Sequence, residues 1–389
     1  MRILFIASES HGGGSTVALY GIIKVLYEKG YGIYVFLPDN EGWLAVELDR
    51  MGIPYFLPRF RYNCSISIWP DTYNPFIFLF HLLKRLIKRL LVVKDVREVI
   101  NRVNPDIVHT NVGPLDLGLG ICRRKRIPHI WHMREYQDKD FGMKIIPNKR
   151  HYIRKLKSPF NYNIAITKDI FNYWELREGV DRVIYDGVFS IKDLSNLRHK
   201  KREKYILFVG RIEEAKDPLS VIKAYAFFRN KYNMPEYKLI LVGHFDSNSY
   251  YKQSCDAFII DNHLNENVMF LGHSNSVYDY MATASCMIVS SKSEGFGFIT
   301  VEAMLNKCPV IGRDSGGTKE QFDNGLAFEG FQIALRYNTE EELADRIHIA
   351  LTTDMSEMTN RAYDMVINNY SIEKSGSEVE SFYRSIVSN

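Results

Sequence analysis

Between Ser293 and Ala303 the chain reads Ser-Glu-Gly-Phe-Gly-Phe-Ile-Thr-Val-Glu-Ala, which sets Glu294, a glycine turn (Gly295, Gly297), a helix start and Glu302 in succession. The apolar run Cys286–Ser291 ahead of it predicts a buried strand, so Glu294 falls where strand gives way to helix. Eight positions separate the glutamates, roughly 12 Å at helical rise. That is the reach from the ribose to the sugar of a nucleotide-sugar. Free N–H groups of the new helix between them form a site for phosphate. Two carboxylates for hydroxyls, with a dipole between for charge, describe a cradle for an activated sugar.

A second cluster follows the predicted strand Tyr205–Gly210, in Gly210-Arg211-Ile212-Glu213-Glu214-Ala215-Lys216. Arg211 and Lys216 stand on the loop leaving the carboxyl end of that strand, where open α/β sheets place their ligands. Two cations there suit a diphosphate and the charge that builds on it as it leaves. Taken alone, such a pair is more often exposed charge, and a glutamate in the first turn of a helix, as read for Glu302, favours the dipole without a ligand. Glu294 is harder to dismiss, because a Gly-Phe-Gly turn lets backbone approach closely. One ligand accounts for all four residues. Downstream, Asp314–Glu320 follows a strand and opens a helix, either as a far wall of the same site or as an ordinary strand-to-helix turn.

Elements must position these residues, and the pattern along the chain supplies them. Strand candidates in the first half are Ile3–Ala7, Ile33–Pro38, Ile107–Asn111, His129–Met133, Asn163–Thr167 and Arg182–Tyr185. In the second half they are Tyr205–Gly210, Leu239–Gly243, Val268–Gly272, Cys286–Ser291 and Pro309–Gly312. Helical patterns alternate with them, so two α/β series predict two doubly wound, Rossmann-like domains. The predicted division is residues 1–187, 188–370 and a final helix in 371–389 returning to the first domain. A break near Asp186–Lys204 rests on the Asp186-Gly187 turn and on Arg198-His199-Lys200-Lys201-Arg202-Glu203-Lys204, too charged for core.

With 389 residues, 46% hydrophobic and 25% charged, the chain can bury two cores, and its composition is that of a soluble globular protein. A net charge of +4 argues neither for nor against nucleic acid, and no nucleic-acid motif accompanies it. Cys64, Cys122, Cys255, Cys286 and Cys308 are odd in number and scattered, forming neither a metal cluster nor a disulfide framework. No apolar run reaches the ~20 residues of a membrane span. The N-terminus runs straight into a strand without a signal pattern. The expected location is the cytoplasm.

Phe76–Val93 departs from the α/β rhythm. It reads as a helix with an apolar stripe (Leu79, Leu82, Leu83, Leu86, Leu90) opposite Lys84, Arg85, Lys88 and Arg89, two i,i+4 pairs of like charge. An anionic membrane surface would relieve that repulsion, giving peripheral docking at the inner face of the plasma membrane. The competing reading is an outer helix with a solvated basic face.

The second half resembles the donor domain of retaining glycosyltransferases of family 4 (glycosyl transferases group 1), with the GT-B fold: two Rossmann-like domains facing a cleft. The matching pieces are FVGRIEEAKDP (208–218), LILVG (239–243), VMFLGH (268–273), SSKSEGFGFITVEAM (290–304) and PVIGRDSGGTKE (309–320). The resemblance implies that Arg211 and Lys216 hold the donor diphosphate, that Glu294 touches a sugar hydroxyl and that Glu302 binds the ribose. It places backbone of Phe296, Gly297, Phe298 and Ile299 against phosphate and sugar, and the loop after Gly272, with His273, beside the base. The first half matches more loosely, through Ser10-His11-Gly12-Gly13-Gly14-Ser15, PDIVHTN (105–111), IPHIWHMREY (127–136) and NIAITKDI (163–170). There Gly13 and Gly14 let backbone N–H groups approach the diphosphate or acceptor, and His132 aligns with a histidine beside the transferred sugar. A lone histidine at a strand end is as readily structural. His132-Met133-Arg134-Glu135 replaces the family's His-Gly, so Arg134 and Glu135 either contact substrate or pair with each other.

Asp138-Lys139-Asp140 resembles a metal-binding Asp-x-Asp but lies in a polar loop of the first half, and Arg211 and Lys216 already supply the charge a metal would. No metal or other cofactor is expected. The implied activity is transfer of a hexose-type sugar from a nucleoside diphosphate-sugar to a carbohydrate or lipid-linked acceptor hydroxyl, with retention, in bacterial surface polysaccharide or glycolipid synthesis. Alternatives are a nucleotide-sugar epimerase or phosphorylase of the same fold and a non-catalytic nucleotide-sugar-binding subunit.

Overall fold

The computed structural model describes residues 1–62, 67–68, 75–113, 115–196 and 200–387. Cys64 and, in the charged linker, Arg198 and His199 lie outside them. The chain divides into two compact units, Met1–Gly187 with Ile372–Asn389, and Val188–Ser371.

The first unit holds a parallel sheet of β1 (Arg2–Ile6), β2 (Gly32–Phe36), β3 (Tyr55–Phe56), β4 (Ile107–Asn111), β5 (His129–Met133), β6 (Asn161–Ala165) and β7 (Arg182–Val183), in the order β3-β2-β1-β4-β5-β6-β7. Strand side chains alternate between faces, and helices cover both, which is why β1 is apolar from Ile3 to Ile6, after the exposed Arg2. Ile3 and Phe5 enter one core with Leu19, Ile22 and Leu26 of α1 (Gly14–Glu28). Leu4 and Ile6 enter the other, with Val92, Val96 and Ile100 of α2 (Pro75–Val103).

Thr167, expected as the end of a strand, instead caps the helix Lys168–Tyr173, its Oγ1 accepting the Ile170 N–H at 3.2 Å. The strand therefore ends at Ala165 and begins two residues earlier than its apolar run suggests. Asn161 and Asn163 are buried there and donate to the Leu156 carbonyl at 2.7 and 3.0 Å.

Two parts of α2 have different surroundings. Its last turns pack Val92, Val96 and Ile100 on the sheet, whereas Phe80, Ile87 and Leu90 are 63%, 60% and 66% exposed, with Leu79, Leu83 and Leu86 also exposed. Lys84 and Lys88 are exposed, and Arg89 pairs with Asp116 at 2.9 Å. No helix among the described residues is long and apolar enough to cross a membrane.

The second unit repeats the plan with β8 (Tyr205–Val209), β9 (Lys238–Val242), β10 (Val268–Gly272), β11 (Cys286–Val289), β12 (Val310–Arg313) and β13 (Leu335–Tyr337), ordered β10-β9-β8-β11-β12-β13 and all parallel. In each sheet the order reverses beside the unit's first strand, at β1/β4 and at β8/β11, the place where doubly wound sheets open a crevice at their carboxyl ends. Gly243 lets the loop after β9 press on the loop after β8, since a Cβ there would lie 1.9 Å from the Gly210 carbonyl oxygen.

The final helix, α6 (Ile372–Val387), packs on α1 of the first unit. Val379, Phe382, Tyr383 and Ile386 are buried in that unit's core, each apolar side chain worth about 1.5–3 kcal/mol when fully covered. Gly376 allows the close approach: a Cβ there would lie 2.7 Å from the Val25 side chain.

Candidate active site

The loops after β8 and β11 bring Lys216 and Glu294 together, Nζ to Oε2 at 2.7 Å, with both side chains mostly buried. Local bonds explain the meeting. Ser290 and Ser291 leave the strand rather than extend it, and the Ser290 hydroxyl donates to the Lys216 carbonyl at 2.7 Å. The Lys292 N–H donates to the Ala215 carbonyl at 3.0 Å. Asp217, in the left-handed region at φ +51°, starts α3 (Pro218–Tyr232), and its carboxylate accepts from Arg313 at 2.5 Å.

Glu294 is not helical. The helix α4 begins only at Phe298 and ends at Leu305, with Gly297 at φ +90° as its N-cap. A helical rise over all eight positions therefore does not measure the separation of Glu294 from Glu302, and Glu302 sits in the second turn rather than the first. The loop Glu294–Gly297 rests instead on the start of α5 (Gly316–Glu329). The Gly317 N–H donates to the Glu294 carbonyl at 2.7 Å, and the buried Gln321 amide donates to the Phe296 and Gly297 carbonyls at 2.7 and 3.2 Å. Side chains at Gly316 and Gly317 would collide with this loop, a Cβ falling 2.9 Å from the Glu294 oxygen and 2.8 Å from that of Gly295. Asp314–Glu320 thus forms the floor under the Glu294 loop.

Glu302 accepts from the Tyr278 hydroxyl at 3.1 Å, and burial raises its carboxyl pKa although that bond opposes the shift. Arg211 is exposed and pairs with Glu213 at 2.9 Å. Gly210 borders the Lys216 stem, a Cβ there lying 3.7 Å from Lys216 Cγ. Phe298 and Ile299 are the first two residues of α4, Phe296 is buried beside Tyr370, and Gly272 and the exposed His273 lie at the end of edge strand β10.

Gly13, Gly14 and His132 belong to the first unit. Gly13 caps α1 and Gly14 is its first residue, both exposed at the helix start after β1. Glu9 lies against Gly13, its Oε1 2.6 Å from where a Cβ would stand, and accepts from Thr16 Oγ1 at 2.9 Å. His132 is fully buried near the end of β5. Arg134 and Glu135 do not pair with each other. Arg134 forms a buried ion pair with Asp186 and donates to Asn111 at 2.8 Å. Glu135 accepts from Gln137 at 2.6 Å, and its carboxyl is pushed up to about 7, first by burial and then by the charge of Asp140. Asp138 accepts from Tyr173 at 2.5 Å and Asp140 from the Tyr136 N–H at 2.7 Å.

Ser290, Gln321, Arg313 and Asp186 escape sequence reading because each acts on a partner at least 24 positions away. The Asp186-Gly187 dipeptide looks like a turn, which hides the buried carboxylate.

Residues 190–366 match the family of glycosyl transferases group 1. That stretch lies wholly within the second unit and includes Lys216, Glu294 and Glu302. Among curated proteins, the chain is similar to N-acetylgalactosamine-N,N'-diacetylbacillosaminyl-diphospho-undecaprenol 4-alpha-N-acetylgalactosaminyltransferase of Campylobacter jejuni, 25% identical over 54% of this chain and 51% of that protein. The similarity thus spans about half the length of that relative. It is also similar to the capsular polysaccharide biosynthesis glycosyltransferase CapH of Staphylococcus aureus, 22% identical over 86% of each. Among solved structures, HepE of Anabaena in complex with UDP superposes with a TM-score of 0.75 at 20% identity, over 99% of this chain and 100% of that one. At that identity the likeness establishes the fold, the two-unit α/β architecture of the GT-B class.

Proposed function

We propose that the chain is a retaining glycosyltransferase of family 4 that moves a hexose-type sugar from a nucleoside diphosphate-sugar to an acceptor hydroxyl. The observation that carries this reading is the Lys216–Glu294 pair at the carboxyl ends of β8 and β11, on the strands flanking the order reversal. Lys216 offers its ammonium to the diphosphate while its bond to Glu294 orients a carboxylate for a sugar hydroxyl. Arg211 exchanges its exposed partner Glu213 for the phosphates, and Glu302 takes the ribose hydroxyls in place of Tyr278. Backbone of Gly295–Ile299 lines phosphate and sugar, and the Gly272–His273 loop borders the base. Gly13 and Gly14 present α1's N–H groups to the diphosphate or acceptor.

The reaction is a same-face substitution in which the leaving phosphate accepts the acceptor's proton. Protein groups supply position and charge, with no metal in the scheme. HepE, which shares the fold, was solved with UDP and with UDP-glucose, so UDP-sugars are the first donors to try. The curated relatives are named as glycosyltransferases, which favours transfer over epimerisation.

The acceptor in this reading is carbohydrate or lipid-linked, in bacterial surface polysaccharide or glycolipid synthesis. The exposed apolar face of α2 beside Lys84 and Lys88 supports docking on an anionic membrane at the cytoplasmic side. Incubating the protein with UDP-, GDP- and ADP-sugars and measuring slow donor hydrolysis tests the activity and names the donor. Hydrolysis of one donor, lost in Glu294→Gln, supports the reading, and inertness to every donor with and without candidate acceptors opposes it.

A further inference from the structure

Four buried side chains of the first unit form a hydrogen-bonded line from the final helix to the ligand-facing end of its sheet. The Tyr383 hydroxyl of α6 meets His109 Nδ1 on β4. His109 Nε2 lies 3.3 Å from His132 Nδ1 on the neighbouring strand β5, and Arg134 Nη2 lies 3.4 Å from that same Nδ1. All four side chains are at most 4% exposed. The remaining ring nitrogen, His132 Nε2, is buried with no partner among the described residues.

The direction of every bond follows from one fact: a guanidinium only donates. His132 Nδ1 must therefore accept, and a neutral ring then carries its proton on Nε2. Facing that acceptor, His109 Nε2 must be the protonated nitrogen of its own ring. His109 Nδ1 is then bare and takes the Tyr383 O–H, which has no other acceptor among the described residues. Both rings are neutral, because burial and the neighbouring Arg134 charge hold them well below the ordinary histidine range. The line ends in one unspent donor, the His132 Nε2–H. A buried donor left without an acceptor is costly and rare in native proteins, and consecutive hydrogen bonds polarise one another.

We propose that Tyr383 and His109 are positioning residues that hold His132 as the Nε2–H tautomer and polarise that N–H for donation to an oxygen of the bound sugar or of its acceptor. The nature of the ligand rests on the transferase reading, whereas the direction of the line does not. His132 is in this account a donor and never a base.

Ring-nitrogen NMR on the full chain with 15N-histidine, assigned through His132→Gln and His109→Gln, tests the direction without any substrate. Both rings are expected protonated at Nε2 and bare at Nδ1 between pH 6 and 8. A proton on Nδ1 of either ring, or a charged ring, overturns the proposal. In Tyr383→Phe the His132 Nε2–H signal is expected to shift and exchange faster with water while the backbone spectrum away from the site is unchanged. An unmoved signal removes Tyr383 from the line, and the wild-type spectrum decides the tautomer even if that variant does not fold.

With the donor found by hydrolysis, Tyr383→Phe should lower kcat/KM about five- to tenfold, the loss expected for one weakened hydrogen bond. His132→Gln, which keeps an N–H donor, should retain more activity than His132→Met, and equal loss in both contradicts donation. If no nucleotide-sugar is turned over, the transferase reading falls while the NMR result stands by itself.

Discussion

Lys216 Nζ and Glu294 Oε2 lie 2.7 Å apart although 78 positions separate them in the chain. Each is on the loop leaving one of the two strands at which the second sheet changes direction. A pair used only for stability would sit anywhere on the surface, where its worth is about 0–1 kcal/mol. Replacing one member should therefore separate function from folding. Lys216→Met and Glu294→Gln are each expected to lower donor turnover by about 10²–10³-fold, the scale of losing a charge-stabilising group. Thermal denaturation should move by only a few degrees. Turnover near wild type in a folded variant would show that the pair is structural.

Glu135 offers a pH test with a definite sign. Its carboxyl is raised from 4.5 to about 7, mainly by burial. The folded chain thus holds a proton there that the unfolded chain releases, and the group's contribution to stability falls as pH rises from about 4.5 through about 7. Melting temperatures of wild type and Glu135→Gln should diverge across that window, the wild type losing ground as pH increases. Parallel curves would show that Glu135 ionises normally.

Glu380 tests the opposite sign at the final helix. Its carboxyl is lowered to about 2 by hydrogen bonds from Lys29 and Tyr31, at 2.5 and 2.7 Å, which tie α6 to the first unit. The stabilisation is present above the unfolded value near 4.5 and disappears as pH falls through about 2. Glu380→Gln should cost about 1 kcal/mol at pH 7, seen as a lower midpoint in urea unfolding. The difference from wild type should close between pH 4.5 and 2, and a constant difference would assign the loss to packing.

The exposed face of α2 makes a prediction about surfaces. Flotation with anionic vesicles should recover the wild-type chain, and recovery should fall in Leu83→Ser/Ile87→Ser and in Lys84→Ser/Lys88→Ser. Neutral vesicles should recover less of every variant. Equal recovery of all variants with anionic lipid would rule out α2 as the contact.

Much of the fold was readable because strands buried on both faces are nearly continuous apolar runs, as in Tyr205–Val209 and Cys286–Val289. Tyr55–Phe56 and Leu335–Tyr337 were missed, being too short to show any period. At the candidate site, Glu294, Lys216, Arg211 and Glu302 stood out by residue type and by their place after strands. Their supports did not. Gln321 and Gly317 act through backbone carbonyls of another loop, and the link from Tyr383 to His109 spans 274 positions. The helical distance assigned to Glu294 and Glu302 failed because Gly297, at φ +90°, caps a helix that starts only at Phe298, four residues after Glu294. Arg134 and Glu135, adjacent and of opposite charge, engage different partners, Asp186 and Asn111 for the first and Gln137 for the second.

The central claim is that one activated sugar spans Glu302, the Arg211–Lys216 cations and Glu294. A structure of the chain with the donor named by hydrolysis tests it most directly. The account predicts Arg211 and Lys216 within hydrogen-bonding distance of the diphosphate, Glu302 on the ribose and Glu294 on a hydroxyl of the transferred sugar. A bound donor that leaves Glu294 joined only to Lys216, with the phosphates held elsewhere, would contradict it.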